Sequence, residues 1–133
     1  MVNLATQGGN AAEVLVIDDV EEIVEELLGL LDLLDIPAAG AHSLDQAMRI
    51  LHGNPTIRVI ACDVRLKRES GLEIIDLVHA DSGLAGRDLR YIFMTGDSMQ
   101  SDAIRAHPVL AKPVQPRELV RLLKAMLGRE DEA

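Results

Sequence analysis

The chain has 133 residues, the size of one domain, and a fold of that length hides roughly 68% of its unfolded surface without disulfide staples. Its composition, 48% hydrophobic and 26% charged, excludes a disordered polymer, and no apolar run reaches the ~18 residues of a membrane helix. A net charge of −9 argues against nucleic acid held on a basic surface, and the one cysteine, Cys62, excludes an internal disulfide.

The start of the chain lacks the basic and apolar regions of a secretory signal, so a reducing cytoplasm is the expected compartment. The charge is uneven: residues 1–48 carry ten acids and no Lys or Arg, whereas residues 49–133 carry thirteen bases against twelve acids. Residues 1–12 read as a flexible leader, 13–127 as the domain, and 128–133 as a charged tail.

Glu13 to Ile17 is a continuous apolar run closed by Asp18 and Asp19, as expected for a strand buried on both faces. From Val20 to Leu34 the apolar residues recur at helical spacing, with Glu21, Glu22, Glu25 and Glu26 on the outer face. Those glutamates repel one another, but their place in the first turns favours them through the helix dipole. Ile36 to Ala41 is a weak strand whose Pro37 suits a sheet edge. Ser43 and Gln46 predict a capping box for a helix ending near Gly53.

Ile57 to Cys62 is a third strand, ending at Asp63, and a loop then leads through Gly71 to a helix from Leu72 to Ala80. Arg90 to Met94 is a fourth strand, ending at Thr95-Gly96-Asp97. A short helix fits over 98–106, stopped by His107-Pro108. Val109 to Ala111 is a fifth strand before Lys112-Pro113, and Gln115 to Leu127 is the last helix. Five βα units imply an α/β fold: an open, doubly wound parallel sheet with helices on both faces.

Ligands in such sheets sit beyond the C-terminal strand ends. Asp18, Asp19, Asp63, Thr95 and Lys112 all fall there. Three gathered carboxylates repel unless a cation or proton balances them, and oxygen ligands suit a hard ion such as Mg²⁺. An ammonium, a hydroxyl and a metal ion position and neutralise, which is most of what phosphoryl transfer demands. A carboxylate can itself be the nucleophile, giving an acyl phosphate. No Gly-rich phosphate loop is present, so a nucleotide is not the natural phosphate source.

In this order and spacing, Asp18-Asp19, Asp63, Gly71, Thr95-Gly96 and Lys112-Pro113 resemble the receiver domain of two-component response regulators, from about Glu13 to Leu127. The resemblance implies the strand order 2-1-3-4-5. It makes Asp63 the phosphoacceptor, with Mg²⁺ bound by Asp19, Asp63 and the backbone carbonyl of Arg65, and by Asp18 largely through a water. Thr95 and Lys112 would sense the phosphoryl group, and Lys112-Pro113 would be a cis peptide. The donor would be a phosphohistidine on a sensor histidine kinase or histidine phosphotransfer protein. The readout would be contact with a downstream protein target, with no nucleic acid and no membrane involved. A homodimer is compatible with this reading.

Four departures stand out. Lys67 occupies the place of a common proline, Val109 that of an aromatic, the interval from Thr95 to Lys112 is short, and no output domain is expected. The last implies a stand-alone receiver acting by protein contact, a switch or phosphorelay intermediate that catalyses only its own phosphorylation and dephosphorylation. Val109 and the short interval count against the usual switch through the fourth helix and fifth strand. Arg65 and Asp97 flank the path of an attacking water, where they are expected to tune the phosphoryl lifetime. Two rivals are a pseudo-receiver that is never phosphorylated and a metal-dependent phosphatase. The phosphatase ranks last, because Arg65 stands where that chemistry wants a second acid.

The remaining motifs have plainer readings. Cys62 reads as a small core residue, Gly71 as a backbone-driven helix opening, and Tyr91 and Phe93 as core or rim. His42, His52, His79 and His107 show no ligand spacing. The glutamate face of the first helix and the Arg117, Arg121 and Lys124 stripe of the last are solvated by default, or else docking surfaces.

Overall fold

The computed structural model describes residues 11–96 and 106–129. Its elements are β1 (Val14–Ile17), α1 (Glu21–Leu33), β2 (Ala38–Ala41), α2 (Leu44–Gly53), β3 (Val59–Asp63), α3 (Glu73–Ala80), β4 (Arg90–Thr95), β5 (Val109–Ala111) and α4 (Pro116–Met126). The helix expected over 98–106, except for Ala106, and Asp97, expected to tune the phosphoryl lifetime, fall outside the described residues.

All strand pairs are parallel and the order is β2-β1-β3-β4-β5. This is the flavodoxin-like arrangement, with the strand order reversing between β1 and β3. Every residue of β1 and β3 is buried, as their unbroken apolar runs require. The weak strand is indeed at the edge. It starts two residues later than its apolar run suggests, because Pro37 has no N–H for the ladder and offers only its carbonyl, to Glu13 N at 2.8 Å.

Alternation along the strands sends side chains into two cores. Leu15, Ile17, Ile60 and Phe93 pack with Leu51 of α2 and Ile74 of α3 on one face. Val16, Ala61, Ile92 and Met94 pack with Leu27 and Leu31 of α1 and Leu119 and Leu123 of α4 on the other. Tyr91 and Phe93 are both core residues; their rings lie parallel at 6.2 Å, with His107 edge-on to each.

The predicted cap of α2 forms with a shift. Ser43 Oγ accepts from Gln46 N at 3.1 Å, but Gln46 Oε1 reaches back to His42 N, one residue before the cap. A second box, not anticipated, precedes α3: Ser70 Oγ accepts from Leu72 N and Glu73 Oε2 from Ser70 N.

The long connection after α3 has a structural anchor that composition did not reveal. The Arg87 guanidinium donates to the carbonyls of Leu51, Asn54 and Ile57 at 2.7, 3.0 and 2.8 Å, satisfying the end of α2 and the turn behind it. Arg87→Ala is expected to destabilise the fold by about 2–3 kcal/mol, since bonds to a charged donor contribute about 1.5–3 kcal/mol and water takes over part of the loss. Urea unfolding should show a lower midpoint with an unchanged slope.

Candidate functional site

The C-terminal ends of β1, β3, β4 and β5 open on one edge, and each brings one polar group there. Asp18 follows β1, Asp63 and Thr95 are the last residues of β3 and β4, and Lys112 follows β5. Ligand oxygens of Asp18, Asp19 and Asp63 lie within 4.8 Å of one another. Lys112 Nζ sits 3.1 Å from Asp63 Oδ2 and 3.2 Å from Asp18 Oδ2, bridging the two carboxylates.

Asp18 is fully buried and both its oxygens are engaged: Oδ2 by Lys112, and Oδ1 by Val20 N at 2.9 Å in a turn that launches α1. Asp63 is 5% exposed, and among the described residues its Oδ1 meets only a long contact of 3.4 Å from Arg65 N. Asp19 is half-buried. Thr95 is buried, and its carbonyl accepts from Lys112 N at 2.9 Å, so one backbone bond couples the hydroxyl residue to the ammonium residue. Lys112-Pro113 is cis.

The charges perturb one another. Burial raises the Asp63 carboxyl above the usual carboxylate range and Asp18 adds to this, while Lys112 and Arg65 N–H pull it back. Burial works to lower Lys112, but its hydrogen bonds and charge contacts with Asp63 and Asp18 outweigh that and hold it above the usual lysine value. Cys62 is pushed far up by burial and by Asp63 and Asp18, so it stays an un-ionised core thiol, in line with its plain reading.

The loop from Asp63 to α3 is built for close approach. A Cβ on Gly71 would collide with the Asp63 carbonyl oxygen and stand 2.8 Å from Cys62 Sγ. Glycine is therefore demanded by the acceptor strand rather than by helix opening, since α3 starts two residues later. Arg65 and Ser70 form an isolated antiparallel bridge. Leu66 is buried, and Glu69 Oε2 accepts from Leu44 N at 2.9 Å, tying this loop to the start of α2. Lys67, in the place of the common proline, and Arg68 are exposed at the tip of this loop. Val109 is 38% exposed, so no aromatic packs beneath the end of β5 at that position.

Charge balance tests the fit of a metal ion. Three carboxylates and one ammonium leave a net charge of −2 when all are ionised, which a divalent ion cancels, and every side-chain donor is a hard oxygen.

A doubly wound 2-1-3-4-5 sheet with an acid pocket and a lysine at its switch point defines a receiver-type domain. The family model for the response regulator receiver domain matches residues 14–124, and the chain belongs to that family. The chain is 29% identical over 124 residues to the two-component response regulator PprB of Pseudomonas aeruginosa, covering 90% of this chain and 45% of that protein. It is 28% identical over 124 residues to the phosphate regulon transcriptional regulatory protein PhoB of Klebsiella pneumoniae, covering 90% of this chain and 53% of the relative. The chain thus spans about half the length of these curated relatives. A solved response regulator receiver protein from Pseudomonas putida superposes with a TM-score of 0.75 at 30% identity, covering 86% of this chain and 96% of that one. Among the described residues, no helix is long and apolar enough to cross a membrane.

Proposed function

We propose that this chain is a phosphorylation switch, or phosphorelay intermediate, that takes a phosphoryl group on Asp63 from a phosphohistidine of a sensor kinase or phosphotransfer protein. One observation carries the choice of acceptor. Of the two buried acids touching Lys112, Asp18 has both oxygens occupied, whereas among the described residues Asp63 Oδ1 holds only a long contact. An Asp63 oxygen attacks phosphorus, the bond from phosphorus to the imidazole nitrogen breaks, and the imidazole leaves with its electron pair.

Lys112, already between the carboxylates, pairs with the incoming phosphoryl oxygens as Asp63 loses its negative charge. Thr95, joined to Lys112 through the backbone, supplies a hydroxyl at the same edge. Asp19, Asp63 and the Arg65 carbonyl would hold Mg²⁺, with Asp18 acting through a water. The ion would neutralise charge on the transferring group. Arg65 guards the approach of water and tunes the lifetime. The domain acts on itself rather than turning over a separate substrate. Its compartment is the cytoplasm, and its output is contact with a protein target.

Incubation with acetyl phosphate, followed by intact mass, tests this reading. The wild-type chain is expected to gain the mass of one phosphoryl group with Mg²⁺ and none when the ion is chelated. Absence of any gain with every divalent ion tried would leave the pseudo-receiver in its place.

A further inference from the structure

The loop between β3 and α3 carries the Arg65 carbonyl, one of the oxygens that would hold Mg²⁺, on a segment that doubles back. Gly71 N donates to the Val64 carbonyl at 2.7 Å, Arg65 and Ser70 form their antiparallel bridge, and Leu66 N donates to the Glu69 carbonyl at 3.1 Å. These bonds close the loop on itself. Its base is held by the sheet, where Val64 N donates to the Met94 carbonyl at 2.9 Å. Beyond Val64 the loop projects from the sheet, and its internal bonds fix its shape but not the direction in which it leans.

The Glu69 side chain fixes that direction. Its Oε2 accepts from the N–H of Leu44, the first residue of α2, where a helix leaves donors without partners and favours negative charge. The start of α2 is in turn bound to the end of β1. Asp18 N donates to the Ala41 carbonyl at 3.1 Å, and His42 Nδ1 lies 3.2 Å from the Asp18 carbonyl, to which it can only donate. Gln46 Oε1 accepts from His42 N at 2.8 Å and stiffens this junction. A closed circuit results. It runs from Asp18 through His42 and Leu44 to Glu69, back along the loop to Asp63, and across the parallel pairing of Cys62 with Ile17.

We infer that Glu69 is a positioning residue for the metal site: by clamping the loop to α2 it holds the Arg65 carbonyl in place relative to Asp19 and Asp63. The inference rests on the reading that the pocket takes Mg²⁺ with Arg65 among its ligands. Glu69 itself touches none of the reacting atoms. It acts through the backbone, as partners behind metal ligands do when they orient them. Leu66 is buried in the same core as Leu44, so the loop stays folded when the clamp is cut and loses only its orientation.

Calorimetric titration of the unphosphorylated chain with Mg²⁺ alone reads the clamp without any phosphoryl transfer. Glu69→Ala is expected to bind Mg²⁺ about tenfold more weakly than the wild type, the lower end of the usual range for such partners. Glu69→Gln keeps an oxygen for Leu44 N and should recover most of the affinity, although it loses the same charge as the alanine variant. Ser43→Ala supplies the control. It removes the cap bond from Gln46 N but leaves the Glu69 bond in place, so the urea midpoint should fall while Mg²⁺ affinity holds. Equal affinity in Glu69→Ala and the wild type would overturn the inference, and so would Ser43→Ala weakening the ion as much as Glu69→Ala. A glutamine variant as weak as the alanine one would assign the effect to charge and overturn it too. A wild-type chain that binds no Mg²⁺ would remove the reading of the pocket, and the clamp with it.

Discussion

Asp63→Asn is expected to abolish phosphoryl uptake while leaving the fold at least as stable as the wild type. Asparagine keeps the shape and an oxygen for Lys112, but its amide cannot form an acyl phosphate. The stability effect follows from the electrostatics. The Asp63 carboxyl is raised by burial and by Asp18, so the folded state binds its proton more tightly than the unfolded state does. A raised carboxyl costs stability above its folded value, and the cost vanishes as pH falls to the ordinary carboxylate value. In metal-free buffer the variant should therefore melt at or above the wild-type temperature near neutral pH, and the difference should shrink toward acid. Added Mg²⁺ should raise the melting temperature of the wild type more than that of Asp63→Asn, since the variant keeps fewer charged ligands. Phosphoryl uptake by the variant, read by intact mass, would place the acceptor elsewhere.

Gly71→Ala is expected to be among the most damaging substitutions of one small residue for another. The new methyl group meets the Asp63 carbonyl oxygen and Cys62 Sγ, and the first of these is backbone in a buried strand that cannot step aside. Overpacking in such a place costs about 3 kcal/mol, the upper end of its usual range. That corresponds to a melting temperature lower by about 10–15 °C for a domain of this size. Because the obstruction lies at the acceptor itself, uptake from acetyl phosphate should slow even at temperatures where the variant is folded. Gly29→Ala is the contrasting case. A Cβ there meets nothing within 4 Å on an exposed helical face, and the substitution should stabilise α1 by about 0.5–1 kcal/mol. Equal and small effects of both substitutions on thermal unfolding would contradict the packing around Gly71.

Order and type of the elements were readable because each repeats a local rule. The unbroken apolar runs of β1 and β3, the helical spacing of α1 and the proline beside β2 each report their own burial within a few residues. Acids placed immediately after buried strands also pointed to the edge where a parallel sheet gathers its ligands. That much is a property of neighbours along the chain.

Contacts across the fold were decided by the tertiary structure alone. Lys112 reaches Asp18 as closely as Asp63, and nothing in the spacing between residues 18 and 112 tells how β1 and β5 lean toward each other. Arg87 closes the end of α2 from a distant turn, and Glu69 holds the start of the same helix, through side chains whose partners are carbonyls and amides of other segments. Gly71 was legible as a special position, but its cause, a neighbouring carbonyl, is a matter of close approach between two segments. Periodicity records which face of an element is buried; it carries no information on the distance or rotation between elements, and the site's geometry is made of those.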